Sequence, residues 1–269
     1  MMKTSALPIL RPSLKEALTA LFTDPREKAF FFALDGVLVP GPCAGASPSS
    51  EVPVALLADL ERASGGAVAI LSGEPLDAVD RVLAPLRLAG CGLGGLEIRP
   101  HADGPCVRRR IAADLDPVRR LFGSVTAQDH GLRVIDGGLA LTLCHEGDPE
   151  RAAVAKTFAH DALALAPAAY RADFDDDATR VTFAGASMGS AICRIMEDDR
   201  FVERIPVVFG PAGRGGDYLA VAQYFGGTAV AVGAGEDRDA DIRLDGPRDV
   251  HWIIRDFLAQ LEIESGGVP

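Results

Sequence analysis

Asp35 stands where a carboxylate can do acid–base work. It follows the apolar run 29–34 and precedes Gly36, the pattern of a buried parallel strand emptying into a loop. In open α/β sheets, ligands gather at that carboxyl end. A plain turn residue makes the same pattern, and the stretch alone leaves both readings open. Ser72-Gly73-Glu74-Pro75 ends a second apolar run, 67–71, in the same way. A third run, 205–210, passes into Pro211-Ala212-Gly213-Arg214-Gly215-Gly216. This glycine-rich loop lacks the Lys-Ser/Thr of a nucleotide loop. It leads into a helix that opens with Asp217, where backbone N–H groups can meet an anion.

Other candidates read more plainly. Asp175-Asp176-Asp177 has the composition of a cation site but reads as an acidic hairpin turn, the far commoner origin of such a run. His101, His130, His145, His160 and His251 show no ligand spacing. Cys144 and His145 are neighbours on an expected strand, so their side chains point to opposite faces. Cys43, Cys91, Cys106, Cys144 and Cys193 are scattered and odd in number, with no disulfide framework or metal spacing. A reducing cytoplasm is the expected compartment.

The elements that must position these groups follow from periodicity. Helical faces are expected over 14–22, 54–63 and 76–83, with a loop over 40–53. Strands alternating with helices specify a parallel sheet with crossovers. After 98 the texture changes. Runs 132–135 and 139–144 flank Asp136-Gly137-Gly138, a hairpin signal. Strands are also expected over 106–111, 168–174 and 180–184, with helices over 115–122 and 152–165. Parallel texture returns after Phe183, ending in a helix over 249–261 with Trp252, Ile253, Phe257 and Leu258. The expected architecture is α/β: a Rossmann-like core from 1–97 and 184–269, interrupted by an α+β cap at 98–183.

The chain has 269 residues, 48% of them hydrophobic, so a sizeable core is available. No stretch reaches the roughly 18 apolar residues of a membrane span. The opening residues, broken by Pro8, make a poor signal peptide. A net charge of -11 argues against a nucleic-acid partner, whose backbone selects a basic face.

Taken in order, the motifs resemble the haloacid-dehalogenase superfamily, and within it trehalose-6-phosphate phosphatases. They are Phe32-Ala33-Leu34-Asp35-Gly36-Val37, Leu71-Ser72-Gly73, Cys91-Gly92-Leu93-Gly94-Gly95, Gly131-Leu132-Arg133-Val134 through Gly137-Gly138, Ala186-Ser187-Met188-Gly189 and Phe209-Gly210-Pro211-Ala212. The resemblance runs over roughly 28–260. It implies a Rossmann-like core of that type with an inserted α+β cap. It also implies a two-step phosphoryl transfer: one aspartate attacks phosphorus, a second two residues on acts as acid and base, Ser/Thr and Lys hold phosphoryl oxygens, and Mg²⁺ neutralises charge.

Against that family pattern, Asp35 keeps the acid/base position and Ser72 the phosphate-binding one. Ala33 occupies the nucleophile position, Met188 the phosphate lysine, and Pro211-Ala212 the metal-binding Asp-Asp. Val37 replaces a threonine, Glu74 an arginine, Gly94 a histidine and Gly137 a cap lysine. Gly215-Gly216 replace an Asp-Glu, with Asp217 retained as a weak metal candidate. Arg214 is a possible substitute cation. The resemblance so read implies a catalytically degenerate homologue that binds a sugar, a sugar phosphate or a partner protein, with no cofactor expected. The alternative is an active trehalose-6-phosphate phosphatase or related sugar-phosphate hydrolase using Mg²⁺ at an atypical site.

Overall fold

A computed structural model describes residues 24–40, 52–109, 114–138, 140–165, 168–174, 177–213, 217–235 and 240–264. The helix expected over 14–22, most of the loop over 40–53, Arg214 and Asp175-Asp176 lie outside these residues.

In chain order, β1 (Lys28–Ala33), α1 (Val54–Ala63), β2 (Val68–Leu71), α2 (Leu76–Leu83), β3 (Ala89–Gly92), β4 (Glu97–Arg99) and β5 (Val107–Arg108) come first. α3 (Asp116–Thr126), β6 (Arg133–Asp136), β7 (Ala140–Cys144), α4 (Pro149–Leu165), β8 (Tyr170–Phe174) and β9 (Ala178–Phe183) follow. The last are α5 (Met188–Ile195), β10 (Ile205–Pro211), α6 (Asp217–Tyr224), β11 (Thr228–Val232), β12 (Ile242–Leu244) and α7 (Pro247–Glu264).

The large sheet has eight strands in the order β12-β11-β10-β1-β2-β3-β4-β5. It is parallel from β12 to β3 and antiparallel at β4 and β5. β1 is apolar throughout its interior because both of its faces are covered. Phe30 and Phe32 pack with Leu57 and Leu60 of α1 and Ile253 and Ile254 of α7. Phe31, pointing the other way, packs with Ile192 and Ile195 of α5 and Leu219 of α6. The alternation follows from the two-residue period of a strand, and it makes a helix–sheet–helix sandwich.

The second sheet has four antiparallel strands in the order β6-β7-β9-β8. Leu141, Leu143, Val181 and Phe183 cluster with Val118 and Phe122 of α3 and Ala155 and Ala159 of α4. Its opposite face carries Thr142, Arg180 and Thr182. The strand expected at 106–111 is shorter, and it pairs with β4 in the large sheet rather than joining the four-stranded one. Position 98 therefore falls inside β4. Cys144 is disulfide-bonded, which corrects the expectation drawn from cysteine spacing, while Cys91, Cys106 and Cys193 are free thiols. Spacing could not find that bond because a disulfide depends on Cα proximity in space.

Candidate active-site pocket

β1 sits between β10 and β2, the point where crossover connections diverge to either side. The loops after these three strands therefore converge on one crevice. After β1 the chain turns at once: Leu38 and Val39 both donate N–H to the Leu34 carbonyl, and Gly36 donates to the Val39 carbonyl at 2.7 Å. Gly36 has φ +81°, and a Cβ there would stand 3.0 Å from Pro211 Cβ. Glycine is needed because the turn is left-handed and the neighbouring strand end is in contact. The turn leaves Asp35 at the mouth while Val37 and Leu38 return to the core.

The loop after β2 is tied to the turn after β3. Gly94 donates N–H to the Ser72 carbonyl at 3.0 Å and Leu93 donates to the Glu74 carbonyl at 2.9 Å. Ser72 is buried, and its Oγ accepts from Glu74 N–H at 3.0 Å, so the hydroxyl closes its own loop. Burial first, and the Asp35 carboxylate second, push the Glu74 carboxyl above the ordinary glutamate value; Arg180 pulls it back.

A cavity of about 190 Å³ opens between the two sheets. Ala33, Asp35, Met188, Pro211 and Asp217 line it, so most of the expected site residues converge. Ser72 lies just behind, represented in the wall by Gly73. Ala212 does not reach the cavity wall; it donates N–H to the Val232 carbonyl and packs beside α6. Asp217 accepts from Ser187 Oγ at 2.5 Å and from Gly189 N–H at 3.1 Å, so it ties the start of α6 to the first turn of α5.

The other wall comes from the second sheet. Register places Thr142, Arg180 and Asp173 in one cross-strand row and Ala140, Thr182 and Arg171 in the next. Arg180 donates from Nε to Thr142 Oγ1 at 3.1 Å. Its guanidinium crosses to the large sheet's loop: a Cβ added at Gly73 would stand 2.8 Å from Nη1. Arg171 pairs with Asp173 at 3.2 Å. Sequence reasoning missed both arginines, Thr182 and Tyr218. Tyr218 is signalled by Gly210, where a Cβ would meet the ring 2.1 Å away. A glycine inside a strand marks such a close approach. The arginines are signalled only by strand alternation, which cannot say which face meets the core domain.

No family model matches the chain. It is 25% identical over 222 residues to a probable trehalose-phosphate phosphatase of Sinorhizobium fredii, covering 81% of this chain and 83% of that one. It is 28% identical over 229 residues to the trehalose-6-phosphate phosphatase of Escherichia coli, covering 84% and 85%. Among solved structures, the C-terminal domain of Candida albicans trehalose-6-phosphate phosphatase aligns over 96% of this chain and 99% of that one, with TM-score 0.77 at 16% identity. A haloalkanoate-superfamily phosphatase from Bacteroides thetaiotaomicron aligns over 94% and 99%, with TM-score 0.53 at 15% identity. The chain has a fold of the haloacid-dehalogenase type and is similar in sequence to trehalose-6-phosphate phosphatases.

Phosphatases of this type normally employ Mg²⁺, which demands a near-octahedral shell of oxygen donors. In this pocket Ala33 presents a methyl group and Pro211 a hydrocarbon ring. The Asp217 oxygens already accept from Ser187 and Gly189. Among the described residues no group of three or more His, Cys, Asp or Glu is placed to share an ion. The donors that the described residues bring to this wall do not fit Mg²⁺.

Proposed function

We propose that the chain is a non-hydrolytic homologue of trehalose-6-phosphate phosphatases that binds a sugar-class ligand in the cleft between its two sheets. The observation that carries this is Ala33. It ends the central strand beside Asp35 in the cavity wall, where the resemblance calls for the attacking aspartate. A methyl group has no lone pair, so the covalent route is closed. Met188 and Pro211 in the same wall supply neither the cation nor the metal that would stabilise developing charge. Asp35, Arg171 and Arg180 remain as polar groups able to orient a ligand.

The alternative, an active sugar-phosphate hydrolase, draws on Asp35 itself, a carboxylate held at the mouth by a defined turn. Phosphate release from trehalose-6-phosphate, with and without Mg²⁺, separates the two. The expected result is no release above background from the wild type. Turnover by the wild type that disappears in Asp35→Asn would establish the hydrolase reading instead.

A further inference from the structure

A second cavity, of about 560 Å³, shares a wall with the cleft. Gly94 and Met188 line the cleft, whereas their chain neighbours Gly95 and Ser187 line the second cavity. Gly95 packs directly on the Ser187 carbonyl, with φ +100° and no room for a Cβ. The cavity sits where the chain leaves the large sheet after β5 and returns after β9. Its size falls within the roughly 300–1,000 Å³ of small-molecule sites. Ile98 and Val107 of the β4–β5 hairpin and Ala191 of α5 form its apolar side.

Two guanidinium groups reach the same wall. Arg109 is held at both ends. Its backbone N–H donates to the Leu96 carbonyl at 2.8 Å, and Nη1 donates to the Gly185 carbonyl at 3.0 Å. Nε and Nη2 are left without an acceptor among the described residues. Arg194 of α5 makes no hydrogen bond or ion pair among the described residues. Glu197 shares the wall and pairs with neither arginine among them. A guanidinium grips an oxyanion through two parallel N–H···O bonds, which are about twice as strong as bonds between neutral groups. The tether on Arg109 fixes its fork in advance, so less freedom is lost on binding.

We propose that this cavity is a second binding site, for a small organic acid. Arg194 and Arg109 hold its carboxylate or phosphate, and Ile98, Val107 and Ala191 cover its apolar body. The site stands independently of the non-hydrolytic reading of the cleft.

The test is calorimetric titration of the full chain with benzoate, phenyl phosphate and the neutral benzyl alcohol. At least one acid is expected to saturate at millimolar concentrations, about tenfold or more tightly than benzyl alcohol, and the tighter acid names the oxyanion. Arg194→Gln is expected to weaken it about tenfold, the loss of one hydrogen bond to a charged group, with an unchanged melting curve because Arg194 is exposed and supports no other side chain. Arg194→Lys keeps the charge without the fork and is expected to recover part of the loss. Val107→Trp, on an exposed edge strand, fills the cavity and is expected to abolish binding. Glu197→Gln is expected to tighten both acids by removing a like charge, and weaker binding in it counts against an acid. Saturation by neither acid overturns the inference, as does equal binding of benzyl alcohol. Affinity lost in Arg180→Gln but kept in Arg194→Gln and Val107→Trp would put the acid in the cleft and overturn it too. Phosphate release from phenyl phosphate would overturn the non-hydrolytic reading of the cleft alone, and benzoate then decides the second site.

Discussion

Asp217→Ala distinguishes a structural carboxylate from a metal ligand. In the structure Asp217 accepts from Ser187 Oγ at 2.5 Å and Gly189 N–H at 3.1 Å, at the first turn of α5. Ser187 is itself the N-cap of that helix, accepting from Ser190 N–H. Asp217 therefore serves as a second acceptor for the helix N-terminus. Loss of such a cap costs about 1 kcal/mol. The favourable placement of negative charge at a helix start adds about 0.5 kcal/mol, kept at the low end because the residue is exposed. The sum, about 1.5 kcal/mol, corresponds to a Tm lower by about 3–6 °C in a protein of this size. Asp217→Asn keeps one acceptor oxygen and loses about half as much. Thermal melts of the wild type and both variants, with and without millimolar Mg²⁺, read the effect. A ligand that binds the native state raises Tm by mass action, and no Mg²⁺ shift is expected in any of the three. A Mg²⁺-dependent rise in the wild type that vanishes in Asp217→Ala, with equal Tm values in the metal-free proteins, would refute the reasoning.

Asp80→Ala strands the guanidinium of Arg99, whose side chain is 2% exposed and bonded to Asp80 at 2.6 and 2.7 Å. A cost of about 3 kcal/mol is expected from urea unfolding, the lower end for a broken buried pair because Asp80 is partly exposed. Cys91 is fully buried and its thiol is pushed up to about 12. Iodoacetamide should therefore leave it intact in the native protein while labelling exposed Cys106, and mass spectrometry after digestion reads the difference. Glu74 has a raised native pKa, so the native state holds its proton more tightly than the unfolded state. Stability is then lost as pH rises from the ordinary value of 4.5 through the raised one. Glu74→Gln is expected to raise Tm at about pH 7 and leave it unchanged at about pH 4; a gain of equal size at both would argue against the charge as the cause.

The three loops that build the cleft were legible in the chain itself, because each depends on local order. An apolar run stopped by Asp35-Gly36, by Ser72-Gly73 or by Pro211-Ala212 is a buried strand meeting a loop wherever it occurs, and a parallel sheet sends such ends to one edge. The hairpin at Asp136-Gly137-Gly138 was legible for the same reason, since a tight turn is chosen by a few adjacent residues. The second wall of the pocket was not. Arg180 and Thr182 alternate with Val181 and Phe183, and alternation says that two faces exist without saying what each one meets. Only the packing of α3 and α4 on one face of β7 and β9 turns the polar face toward Gly73. The role of Asp217 was hidden likewise: its partners, Ser187 and Gly189, lie 30 and 28 residues away and meet it only when α5 and α6 pack together. Side-chain type and local order act over a few residues, whereas the charge balance of a cleft is a sum over groups that only tertiary packing brings within Coulomb range of one another.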